Sequence, residues 1–136
     1  MKDNQLPASN RYDRGAAAFE KITSIAASDF SASLDKVAPR FARYVMEWEF
    51  ADMVGESSLD AKTSEIVAIT AMATLGASAA PVLKLRINTA LKAGVTREEI
   101  IDVFIQLSIA AGFPIALAAI QAAQEQFALA DAKAAA

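Results

Sequence analysis

At 136 residues the chain has the length of a single domain, 1–136, large enough for a real core, and its net charge of −3 offers no basic patch to displace counterions from nucleic acid. It contains no cysteine and no histidine, which excludes disulfides, thiol redox chemistry, thiolate nucleophiles, Ser-His-Asp triads and imidazole metal sites. Apolar residues make up 54% but aromatics only 7%, so Ala, Ile, Leu and Val dominate and favour close-packed helices over aromatic-rich strands.

The opening "MKDNQLPASNRYDRG" is polar rather than a charged-then-apolar leader, which makes a cytoplasmic location the default expectation. A first helix is expected from Ser9 or Asn10 through "RYDRGAAAFEKITSI", and a short one around "SASLDKV". A longer helix opens at Pro39 and runs through "RFARYVMEWEFADMV" to Gly55. The next extends from Asp60, a good cap, to Leu75 and closes at Gly76. Pro81 opens a helix that Gly94 ends. Thr96 and Glu99 in "TREE" form a capping box, which starts a helix running to Gly112. Pro114 opens the last helix. Val103 to Ala123 carries no formal charge over 21 residues, the length of a membrane span, but Gly112 and Pro114 interrupt it and Gln106 and Ser108 lie inside it. Two buried helices meeting at "AGFP" are the expectation, with no membrane partner. The fold class is all-α, a single-domain bundle of about seven helices.

Four groups of residues could carry chemistry. Ser33 and Lys36 in "SLDK" have the spacing in which a lysine activates a serine, a pattern that two common residues also produce by chance. Glu47, Glu49, Asp52 and Glu56 gather carboxylates along the third helix and just beyond it. Glu49 and Glu56 read as a solvated face, whereas Glu47, flanking Phe41, Val45 and Trp48, has the better claim to a pocket.

In "LKLRINTALKAGVTREEI", a turn of about 100° per residue puts Lys84, Asn88 and Lys92 on one stripe and Arg86 roughly opposite, facing protein beside Leu83, Ile87 and Ala90. Arginine cannot shed its proton, so burial requires a carboxylate or an anionic ligand to accept its donors. Glu65, on the preceding helix with Ile69 and Met72, is the natural partner. The two either join helices or line a cavity open to an anionic substrate. Gln106, an amide among aliphatics, either ties helices together or aims at a bound molecule.

The segments "RYDRGAAAFEKI", "ARYVMEWEFADM", "LDAKTSEIVAITAMATLG", "LKLRINTALKAGVTREEIIDVFIQ" and "AGFPIALAAIQAAQEQF", in that order, resemble the carboxymuconolactone decarboxylase family over roughly residues 11 to 128. The resemblance implies an all-helical fold shared with alkylhydroperoxidase-like proteins, assembled as homotrimers or homohexamers. For the decarboxylase branch it implies loss of carbon dioxide from 4-carboxymuconolactone in protocatechuate degradation, without a cofactor or metal. The peroxidase branch uses C-x-x-C followed by histidine, so thiol peroxidase activity is excluded by chemistry.

The chain departs from the decarboxylase pattern at four places. The family's L-K-L-H histidine falls on Arg86, its R-P-G on Glu56, Ser57 and Ser58, the aromatic two residues earlier on Val54, and the aromatic just before A-G-F-P on Ala110. Histidine can move a proton near neutral pH, whereas arginine can only bind and stabilise negative charge. The expectation is a small-molecule carboxylate or lactone as ligand: Arg86 binding carboxylate or enolate, Glu65 orienting Arg86, Glu47 donating a proton, and Trp48 and Gln106 as further contacts. A non-catalytic oligomeric member is the competing reading. Excess aliphatic surface on the last two helices adds the expectation of self-association.

Overall fold

A computed structural model describes residues 6–136, with side chains from residue 11 onward. Among the described residues there are seven α-helices and no strand. The helices pack as two compact units, Met1–Leu59 and Asp60–Ala136.

The first unit contains α1 (Leu6–Thr23), α2 (Ala27–Leu34), α3 (Pro39–Tyr44) and, continuing α3 without a break, a π-helix over Val45–Val54. Helix α1 begins a turn before Ser9 and Asn10, whose side chains lie outside the described ones. Helix α2 sits earlier than the expected "SASLDKV". Its cap position, Ala26, has no side chain to offer; instead Glu20 Oε1, on α1, accepts the Ala27 N–H at 2.9 Å. The core of this unit is Phe19, Ala27, Met46 and Phe50. The Phe19 ring meets Phe50 edge-on at 5.1 Å and Phe30 tilted at 5.3 Å. Gly15 lets α1 lie directly on the π-helix: a Cβ there would fall 1.9 Å from the Met46 carbonyl oxygen.

The second unit contains α4 (Ala61–Thr74), a 3-10 turn (Gly76–Ala79), α5 (Ala80–Lys92), α6 (Arg97–Ala111) and α7 (Phe113–Ala135). The Asp60 side chain caps α4 by accepting from Thr63 N–H at 2.7 Å. Thr96 and Glu99 cap α6 reciprocally, Thr96 Oγ1 accepting from Glu99 N–H at 3.0 Å and Glu99 Oε2 from Thr96 N–H at 2.8 Å. Ile69, Ile87, Ile100 and Phe104 are fully buried, and α7 contributes Ala119, Ala122 and Ala123, small residues that let helices approach closely.

The uncharged run over 103–123 is two helices broken at Gly112, and no described helix is long and apolar enough to cross a membrane. Nor is that run wholly buried. Ile109 and Phe113 are 89% and 81% exposed, Ile105 and Leu117 about half, and an apolar groove of about 510 Å³ opens there, lined by Ile105, Ser108, Phe113, Leu117 and Ile120.

Candidate functional site

Arg86 lies on α5 with its side chain turned inward, as the 100° arithmetic requires, among the buried Leu83, Ile87 and Ala90. The opposite stripe is engaged at the surface: Lys84 Nζ pairs with Glu125 at 2.5 Å, and Asn88 Nδ2 donates to Gln126 Oε1 at 2.9 Å. Glu65, on α4, brings its Oε1 to 3.9 Å from Arg86 Nη2. Both residues are buried, at 4% and 8% exposure.

Thr89, one turn beyond Arg86, was not foreseen from the sequence. Its hydroxyl donates to Glu65 Oε2 at 2.5 Å and also lies 3.0 Å from the Arg86 carbonyl oxygen. A hydroxyl carries one proton, and the shorter contact takes it. Glu65 is thereby fixed between two side chains of α5, Thr89 on one oxygen and Arg86 on the other. The signal was the i, i+3 spacing of Arg86 and Thr89, which puts both on one helix face. In so dry a setting a fixed cation and an oriented carboxylate interact more strongly than at a surface. The arrangement sets a fixed positive charge beside an oriented carboxylate and a hydroxyl.

The other expected site residues belong to other helices. Glu47 is in the first unit, where Arg11 Nη1 approaches its Oε2 at 3.6 Å. The same guanidinium grips Asp52 with Nε at 3.1 Å from both oxygens and Nη2 at 2.5 Å, and sits over the Trp48 ring at 5.4 Å. The Arg11 bonds hold the Asp52 carboxyl below its ordinary range, and Asp52 in turn raises Arg11. Trp48 is half-exposed. Gln106 is exposed on α6, its aliphatic neighbours Ile105 and Ile109 being exposed too, so it forms no buried tie between helices. The Ser33 hydroxyl donates to the Phe30 carbonyl at 2.6 Å, on an exposed face, which leaves the Ser33–Lys36 spacing without an activated serine.

The helices, the buried pair and the capping box define a small all-helical protein with a charged centre in its second unit. The family model described as the carboxymuconolactone decarboxylase family matches residues 39–125. An uncharacterized 15.0 kDa protein from the nqo9-nqo10 intergenic region of Paracoccus denitrificans is 32% identical over 99 residues, which is 73% of this chain and 74% of that protein. The chain belongs to the carboxymuconolactone decarboxylase family.

Proposed function

We propose that the protein acts on a small carboxylated lactone or a related acid, with Arg86 as the group that receives negative charge. The supporting observation is a buried guanidinium set against Glu65, itself held by Thr89, on the residue where the resemblance places the family's histidine. In a decarboxylation of 4-carboxymuconolactone type, the carbon–carboxylate bond breaks, carbon dioxide leaves, and the electron pair spreads onto the lactone carbonyl as an enolate. Arginine stabilises that charge without exchanging protons, so the proton that completes the product comes from water. Glu65 orients Arg86. Glu47, engaged with Arg11, is given no part in the step, and Trp48 and Gln106 are not needed for it.

A second reading has its own support. Glu65, Arg86 and Thr89 are all buried beside Ile69 and Ile87, as expected of a structural cluster in a non-catalytic family member. Turnover separates the two. Purified wild type is expected to consume 4-carboxymuconolactone, and Arg86→Met, shown to be folded, to lose that activity. No turnover by folded wild type, or full turnover by Arg86→Met, contradicts the assignment.

The proposal includes self-association through the apolar α6–α7 face as a homotrimer or homohexamer. That face exposes Ile105, Ile109, Phe113 and Leu117 together, and a contiguous exposed apolar patch marks an interaction site. Light scattering at micromolar concentration is expected to give three or six times 14.4 kDa; a monomer or a dimer contradicts it.

A further inference from the structure

The π-helix over Val45–Val54 is ten residues long, where such helices are ordinarily single turns inside α-helices. Its wider winding is visible at its end, where Gly55 N–H bonds to the Phe50 carbonyl, five residues back, at 3.1 Å. Something must favour this register over the α-helix that the sequence would otherwise continue from Pro39.

The positions of the side chains identify it. A helix closed by i→i−5 bonds turns about 82° per residue, against about 100° in an α-helix. At the smaller angle Glu47, Trp48 and Asp52, the three residues of this segment that meet Arg11, fall within an arc of about 80°; at the larger angle they spread over about 140°. The buried residues Met46, Phe50 and Ala51 narrow in the same way, from about 140° to about 80°. One guanidinium reaches both carboxylates and the ring in the π register, whereas the α register spreads the three almost twice as widely around the helix. Two glycines fit the same geometry. Gly15 allows α1, which carries Arg11, to lie against the Met46 carbonyl, and a Cβ at Gly55 would lie 2.4 Å from the Ala51 carbonyl oxygen.

We propose that Arg11 is the lock of a helix-register switch: by gripping Asp52 and Glu47 it holds Val45–Val54 in the i→i−5 form, and its release returns the segment to an α-helix. The inference is independent of the proposed chemistry at Arg86. The shift accumulates by about 18° per residue from Met46, so Met53, exposed in the π form, turns by about 125° on release. The surface that this helix presents beyond Trp48 is then a different one.

Couplings measured across hydrogen bonds by NMR report directly which carbonyl each amide meets. In the wild-type chain Gly55 N–H is expected to couple to Phe50 C=O. In Arg11→Met, and in Asp52→Asn, which keeps size and removes charge, the coupling is expected to move to Ala51 C=O. Trp48, the single tryptophan, should change its emission in step. Retention of the Phe50 coupling in both variants would overturn the proposal. So would failure of both to fold, because the pair would then be a global staple rather than a lock on one segment.

Discussion

Arg11 and Arg86 meet carboxylates under opposite conditions. Arg11 sits near the surface of the first unit, makes short bidentate contact with Asp52 and covers a half-exposed tryptophan. Arg86 is buried in the second unit and stands 3.9 Å from a carboxylate whose other oxygen is taken by a threonine. The better geometry belongs to the pair that water screens, and the looser one to the pair that is largely buried. Screening, not distance, decides which pair costs more to break: a half-exposed pair contributes little to global stability and can serve to choose between local conformations, whereas removing one partner of a buried pair strands the other in the core.

That contrast gives a graded set of expectations. Arg86→Met and Glu65→Gln are each expected to destabilise the fold by about 3–5 kcal/mol, and the double variant by less than either, since it leaves no stranded charge; denaturant unfolding of the three would blur the contrast if the losses simply added. Thr89→Val keeps the volume but removes the donor to Glu65, and is expected to cost about 1–3 kcal/mol with no change in helix content. Arg11→Met should move the unfolding midpoint least of the arginine changes, its effect being confined to the π segment.

The smallest effect comes from pH. Asp52, through the Arg11 bonds; Asp60, through Thr63 N–H; Glu99, through Thr96 N–H and then Lys62; and Asp131, through Arg97, all have carboxyls held below their ordinary range. A carboxyl depressed in the folded state contributes stability that is present above its unfolded value, about 4, and is lost as pH falls through the folded value. Stability should therefore be insensitive to these groups from neutral pH down to about 5 and decline below about 4. Urea midpoints across that range check the window, and a fall already complete at pH 6 would point to other groups.

What was legible in the sequence was local. Asp60 and the Thr96–Glu99 box act on backbone groups within a few residues, so a short window contains both partners. The inward direction of Arg86 followed from helical spacing alone, and so did the choice of Glu65 as its neighbour. What was not legible depends on distant contacts. The start of α2 is capped from α1 by Glu20, seven residues upstream of Ala27, and the π register is tied to Arg11, 41 residues from Asp52. The uncharged run around Gln106 predicts a buried tie between helices, whereas Gln106, Ile109 and Phe113 in that run face outward. Sequence pattern gives a helix its apolar side but not what covers that side.

The most direct measurement is the NMR signal of the Arg86 Nε–H group, assigned by its loss in Arg86→Met, followed while a non-reacting saturated analogue of 4-carboxymuconolactone is titrated into the folded wild-type protein. Receipt of the ligand's negative charge by Arg86 predicts a saturable shift of that signal. An Arg86 signal that stays in place while the analogue demonstrably binds, or an analogue that does not bind at all, would contradict it.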